Sequence, residues 1–407
     1  MKTLFLSFII FTSQIFSQPE WNYLSNTFDY TVNVIKINSE GHIYAGTKSQ
    51  GIIKSTDGGL NWEFKNNGLP ENEILSILIT QNNTIFAGTF DGGLYRSINA
   101  GENWQKLEAG LTNTVITSLA RNEDGIIYAG TKGGGVFYSS DNGSNWSEIN
   151  SGLINKDIID IDINSNGDLY AGAYSYGVFK LTKGNNFWNE INIGMPNNKD
   201  ILSILVNKNN DVLAATAQDG IYIREANSLA WQQTTLQFFP CWDLELTLSG
   251  EVLASTDGAI YISHNGGKAF QLINNGLPDT RILTIEPDNN GIIYAGTHGN
   301  GIFKSSATTL VDEEIIPHDF QLFQNYPNPF NPATTISFKI PNVEAQYAAL
   351  LQVYNLTGAE IKTLINKKLS AGNYNIFFDA EDFPSGVYFY KLTYGKSSQT
   401  KKMTLIK

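Results

Sequence analysis

The stretch STDGGLNW, Ser55 to Trp62, decides the fold, because the chain returns to it. SINAGENW stands at Ser97 to Trp104, SSDNGSNW at Ser139 to Trp146, and a degraded copy, SHNGGKAF, at Ser263 to Phe270. A second phrase keeps the same time. It reads YAGT at Tyr44, FAGT at Phe86, YAGT at Tyr128, YAGA at Tyr170, LAAT at Leu213, LAST at Leu253 and YAGT at Tyr294. The intervals are 42, 42, 42, 43, 40 and 41 residues. A repeat of about forty residues signals a solenoid, propeller or array.

One period contains four short strands. An apolar run, Ile74 to Ile79, comes first, and TIFAGT, Thr84 to Thr89, follows. After a glycine-rich turn comes Gly93 to Ser97, and the eight-residue sentence leads into Asn103 to Leu107. Four strands joined by tight turns make a propeller blade, and no long stretch here has a helical period. Seven phrases predict seven blades. The last period stops at Ser306 with three strands, and Glu20 to Leu24 (EWNYL) supplies a strand of the missing type. Closing the ring with it removes the exposed sheet edges.

The repeated sentence is predicted to be a turn. Asp57, Asn99, Asp141 and Asn265 can accept backbone N–H groups of their own turn. Gly59, Gly101, Gly143 and Gly267 stand where positive φ is needed. Trp62, Trp104, Trp146 and Phe270 are expected to fold back over the hairpin. With Ser55, Ser97 and Ser139 these residues resemble the Asp-box (BNR) repeat, S-x-D-x-G-x-x-W. The resemblance implies a structural turn on the face opposite a propeller's ligand site. The equivalent turns at Leu181 to Trp188 and Arg224 to Trp231 keep only the Trp.

The 407 residues carry a net charge of −12, unevenly placed. From Phe320 onward there are 9 Lys and 5 acidic residues, and the remainder has a charge of −16. An acidic body does not suggest nucleic acid, whose phosphates require Lys and Arg. Lys2, the apolar run Leu4 to Phe11 and a polar end predict a signal peptide over residues 1–18. No later stretch is long and apolar enough for a transmembrane anchor. Cys241 is the single cysteine, expected as a small buried residue. No metal site and no cofactor are expected.

Residues 307–319 form a polar linker. Residues 320–407 follow as a small β-sandwich of the immunoglobulin-like kind, with turns at the Asn-Pro pairs and alternation in ATTISFKI. Here QNYPNPFNPATTISF, VYNLTGAEIKTL, AGNYNIFF, SGVYFYKLTYG and TKKMTLIK closely resemble the type A C-terminal sorting domain of the type IX secretion system of Bacteroidetes. The resemblance implies export through the periplasm to the surface or medium, with the secretion machinery as partner. The fold class is therefore all-β, a seven-bladed propeller over residues 19–306 and a C-terminal sandwich.

Function is less legible. In a propeller the loops between the second and third strands and those entering the innermost strand build the functional face. They are short here and carry Phe90, Tyr174, Tyr176, Phe238, Phe239 and His298, with Arg281. Aromatic rings beside Asn and Asp suit sugar faces or peptide side chains. Glycosidase chemistry would need two carboxylates facing one bond. Asp91, Asp219 and Asp257 lie in these loops, but such residues are also turn formers. The Asp-box resemblance leads to the sialidases, which need three Arg around the substrate carboxylate. The repeat region has four Arg in all, Arg96, Arg121, Arg224 and Arg281, and only Arg281 is well placed. The expectation is a monomeric, non-catalytic binder of glycan or protein. The alternative is a polysaccharide-degrading hydrolase of the Asp-box type.

Overall fold

The computed structural model describes residues 19–25, 27, 29–70, 73–197, 199–237, 239–306, 321–340, 348–369, 372–394 and 397–407. The expected signal peptide, the linker, Phe238 and Phe320 lie outside the described residues. Contacts divide the chain into two compact units, Met1–Thr308 and Thr309–Lys407.

Among its described residues the first unit holds seven four-stranded antiparallel sheets. The first contains Val32–Ile37, Ile43–Thr47, Ile52–Ser55 and Glu63–Phe64, in that order. The second contains Ile74–Ile79, Ile85–Thr89, Leu94–Ser97 and Gln105–Leu107, within two residues of the sequence expectation. The seventh is composite. Trp21–Tyr23 pairs with Ile302–Ser305, Trp21 opposite Ser305 and Tyr23 opposite Phe303. Its other strands are Ile293–Thr297 and Ile282–Pro287. The first strands of neighbouring sheets touch all the way round, from Val32–Ile37 through Ile282–Pro287 and back, so the ring is closed.

The repeated YAGT phrase is buried at every position in all seven copies because sheets press on both of its faces. Its glycine answers a close approach. A Cβ on Gly46 would stand 2.6 Å from Ile74 Cγ2 of the next sheet. Ala215 and Ser255 fill that place in the fifth and sixth sheets. Phe86, Phe137 and Phe179 are fully buried between sheets. Burying such a side chain contributes about 1.5–3 kcal/mol.

The eight-residue turn is a hydrogen-bonded unit. Ser55 Oγ donates to Asp57 Oδ1 at 2.8 Å and accepts from Gly59 N at 2.9 Å. Asn61 N donates to Asp57 Oδ1 at 2.9 Å, and Asn61 Nδ2 to Oδ2 at 2.7 Å. The serine-to-acceptor and backbone bonds recur at Ser97, Ser139 and Ser263. Gly59, Gly101, Gly143 and Gly267 have φ of +94, +88, +82 and +96°. The backbone and side chain of Asn61 hold the Asp57 carboxyl at a pKa of about 2, and Asn145 and Ser139 do the same for Asp141. Where the serine and its acceptor two residues on are absent, an aspartate beside the second strand substitutes. Asp168 Oδ1 accepts Lys183 N at 2.9 Å, and Asp211 Oδ1 accepts Ala226 N at 3.0 Å.

The tryptophans depart from the expectation. Trp62 and Trp146 do bond inside their own turns, to Gly59 O and Gly143 O. Trp104 instead donates to Lys65 O at 2.7 Å, Trp188 to Ile149 O at 2.6 Å and Trp21 to Ile273 O at 2.6 Å, and Trp231 bonds Ile191 O. Each acceptor belongs to the end of the preceding sheet, so these rings staple one sheet to the next. The sequence period places the ring but not its partner across the sheet boundary.

In the second unit, Gln321–Leu322, Ala333–Ile340 and Gly372–Asp379 form a three-stranded sheet. Glu360–Lys368, Ala348–Tyr354, Gly386–Tyr394 and Ser397–Leu405 form a four-stranded one. Phe338 and Phe378 from the first share one core with Leu351 and Tyr390 from the second. Tyr390 Oη donates to Phe323 O and accepts from Asn325 N, both at 2.8 Å, which anchors the Asn-Pro segment.

Packing across sheets should outweigh the turn. Trp188 is 1% exposed, and Trp188→Ala should cost about 3–5 kcal/mol. Asp57→Ala should lower the melting temperature by only about 2–4 °C. Thermal and urea unfolding of both variants checks this ranking. Equal damage from the two changes would contradict it.

Candidate functional site

The ring has two chemically different ends. One carries the eight-residue turns. A cleft of about 400 Å3 at that end is lined by Thr80, Arg121, Asp124 and Asp141 among others, with no aromatic side chain. The other end carries the loops between second and third strands, and every described sequence-predicted ligand residue lies there. Phe90, Tyr174, Tyr176 and Phe239 are 44–52% exposed, and His298 is exposed.

The structure brings some of these residues together and leaves others apart. Tyr174 and Tyr176 flank Ser175 in one loop of the fourth sheet, with Ser175 at φ +63°. Neighbouring loops hold that turn from both sides. Tyr174 N donates to Asp157 O and Asn155 Nδ2 to Tyr174 O, both at 3.0 Å. Asn192 Nδ2 donates to Tyr176 O and Ser175 Oγ to Asp200 Oδ1, both at 2.8 Å. The two backbones are fixed while the rings stay exposed. Ile154 and Ile193, 65% and 68% exposed, lie in the same neighbouring loops. Phe90 stands on the second sheet and Phe239 before the sixth, each on its own loop.

Arg281 and His298 meet at the seventh sheet, where His298 N donates to Arg281 O at 2.9 Å. The Arg281 guanidinium lies 4.1 Å from the centre of the Trp242 ring, and its Nε reaches Asp257 Oδ1 at 3.3 Å. Trp242 Nε1 donates to the same oxygen at 2.9 Å. Sequence reasoning missed Trp242. The signal was its position: six tryptophans stand at or just before outermost strands, and Trp242 alone sits in an innermost one, Cys241–Leu246. Cys241 beside it is buried, and burial pushes its thiol pKa up, which leaves the thiol inert.

The lumen was also missed. Lys36, Asp160, Asp162, Asp243, Glu245 and Glu286 lie on innermost strands and bond between sheets, to a neighbouring sheet in each case except Glu245, whose partner Lys36 is two sheets away. Asp160 accepts Ser118 Oγ at 2.6 Å and Ile204 N at 2.8 Å. Asp162 accepts Val206 N at 2.7 Å, and Asp243 accepts Ile285 N at 2.8 Å. Lys36 Nζ reaches Glu286 at 2.7 Å and Glu245 at 3.0 Å. The Lys36 and Glu245 side chains keep exposures of 33% and 28%. Enclosure nevertheless raises the carboxyls: burial pushes Asp162 to about 7 and lifts Asp160, Asp243 and Glu286. For Lys36, burial works to lower the pKa, but Glu245, Glu286 and Asp243 outweigh it and raise the pKa well above the usual value.

A carboxyl raised in the fold contributes stability that is complete below its unfolded value and is lost as pH rises through its folded value. For Asp162 that window runs from 3.8 to about 7. The melting temperature should therefore climb as pH falls from 8 to 5. Asp57 and Asp141, held at about 2, keep their contribution throughout that range. His264, raised by Glu251, titrates in the same direction, so the comparison belongs in a His264→Gln background. Asp162→Asn should flatten the slope. A melting temperature that falls between pH 8 and 5 would contradict the assignment.

Two family profiles match the chain. Residues 324–407 match the secretion system C-terminal sorting domain, and residues 17–159 match the DUF6242 beta propeller domain. No curated protein matches in sequence. Among solved structures, YCF48 from Cyanidioschyzon merolae is similar, with a TM-score of 0.55, 14% identity and coverage of 70% of this chain and 98% of that one. YCF48 bound to D1 peptide gives 0.57 and 16%, with coverage of 73% and 97%. PorZ, described as an essential bacterial surface component of the type-IX secretion system of Porphyromonas gingivalis, gives 0.54 and 16%. There the match covers 93% of this chain and 59% of PorZ. At such identities the likeness speaks to fold. The first unit is a β-propeller, and the type IX sorting domain directs the protein to the outer cell surface. Among the described residues no helix is long and apolar enough to cross a membrane.

Proposed function

We propose that this is a seven-bladed propeller of the Asp-box kind, residues 19–306, that binds a glycan or protein ligand at the cell surface without catalysis. In this reading a signal peptide, 1–18, starts its export. An immunoglobulin-like sorting domain, 320–407, completes it across the linker 307–319. The observation that carries the reading is the fourth-sheet loop, where hydrogen bonds on both sides fix the backbone while the Tyr174 and Tyr176 rings stay exposed. Aromatic rings held out of the core at low entropic cost are what sugar faces and peptide side chains pack against. The YCF48 structure with D1 peptide gives the same fold a binding role.

Catalysis has less support. Asp91, Asp219 and Asp257 stand on three separate loops, and Asp257 is already engaged by Arg281 and Trp242. Arg281 is the single arginine at this end.

Glycan and peptide arrays probed with the purified secreted chain test the reading. A hit should weaken about tenfold or more when Tyr174, Tyr176 and Phe239 are together replaced by Ala. Undiminished binding by that variant would refute the aromatic loop as the site, and turnover of a bound polysaccharide would refute the non-catalytic reading.

A further inference from the structure

Trp242, Asp257 and Arg281 meet where the sixth and seventh sheets join. Asp257 follows the second strand of the sixth sheet, and Arg281 precedes the first strand of the seventh. An isolated antiparallel bridge pairs the two residues, so their backbones are set by the sheets rather than by a free loop. The indole fixes both side chains, one by stacking and one by its N–H.

What remains open has a definite chemistry. Arg281 uses only Nε, and its two Nη groups have no partner among the described residues. Asp257 Oδ1 takes both bonds, and Oδ2 has no partner there either. Free in-plane donors therefore stand beside a free carboxylate oxygen, with side chains 44% and 52% exposed. The geometry points to a site for the vicinal hydroxyls of a neutral sugar, a proposal that rests on the binding reading above. Each sugar hydroxyl donates and accepts at once, so a diol can donate a hydrogen bond to Asp257 Oδ2 while accepting hydrogen bonds from Arg281 Nη.

Charge selects the neutral class. The arginine charge is already matched by Asp257, Asp279 lies against Gly258 in the same corner, and the remainder of the chain before Phe320 carries −16. An anionic glycan would meet net repulsion. A peptide carboxylate would look for paired backbone N–H groups. The nearest amides are taken: His298 N bonds Arg281 O, and Gly258 N bonds Thr280 O at 2.7 Å.

The test follows the Trp242 indole N–H by NMR in the full secreted chain, with the resonance assigned through Trp242→Phe. The probes are neutral gluco-, manno- and xylo-oligosaccharides, an oligogalacturonate of equal length and an uncharged-side-chain peptide with a free C-terminus. A neutral oligosaccharide should move the resonance, and the other two should not. Asp257→Asn keeps an oxygen for Trp242 and should melt like the parent, yet bind about tenfold or more weakly; Arg281→Lys should do likewise. The response local to the Trp242 indole should persist in the Tyr174, Tyr176 and Phe239 triple variant while that variant's array binding still falls about tenfold, which separates this site from the aromatic loop. No response to any neutral oligosaccharide, an unchanged response in Asp257→Asn, or a preference for the oligogalacturonate or the peptide would overturn the diol site. In each case the aromatic-loop reading would still stand or fall on its own array result.

Discussion

The pairing of Trp21–Tyr23 with Ile302–Ser305 is the constraint on which the rest of the ring depends. It joins residues 280 to 284 positions apart and supplies the seventh sheet with its outer strand. The bonds around it reach further. Trp21 Nε1 bonds Ile273 O in the sixth sheet. Across the seam, Ile35 N donates to Thr284 Oγ1 and Ile37 N to Glu286 Oε1. A Cβ on Gly296 would stand 2.8 Å from Val32 Cγ1, so the first and seventh sheets pack as closely as any other pair. Without closure, two sheets would each lose a neighbour, and an unpaired edge would face solvent.

The period made the propeller legible. Positions recurring every 40 to 43 residues had to be equivalent, and the turn chemistry of Asp57, Gly59 and their counterparts followed from residue type alone. A period states where a residue sits in its own sheet. It does not state what the next sheet brings to it. That is why the staples made by Trp104, Trp188 and Trp231 escaped, and why Asp160 was not tied to Ile204, 44 residues away. The lumen carboxylates left a trace in IIDIDI and CWDLEL, where acids alternate inside otherwise apolar innermost strands.

The same limit shaped the candidate site. Tyr174, Tyr176, Arg281 and His298 were legible because short loops with rings or charge stand out between repeats. Their grouping into a tyrosine pair on one sheet and an arginine corner on another was not, because it depends on how successive sheets are set side by side. Trp242 was hidden for a further reason: a tryptophan in an apolar strand passes for core unless its departure from the tryptophan register is noticed. In the proposed reading, binding and stability take opposite ends of the ring, one with self-satisfied turns and one with groups whose bonds are incomplete among the described residues.

Hydrogen exchange on a chain beginning at residue 26 tests the dependence on closure most directly. If the account is right, removing Trp21–Tyr23 will reduce amide protection in every sheet together, with Val32–Ile37 and Ile302–Ser305 losing it at the same denaturant concentration as the distant Ile158–Ile163. Loss confined to Ile302–Ser305, with the other six sheets protected as in the intact chain, would contradict it.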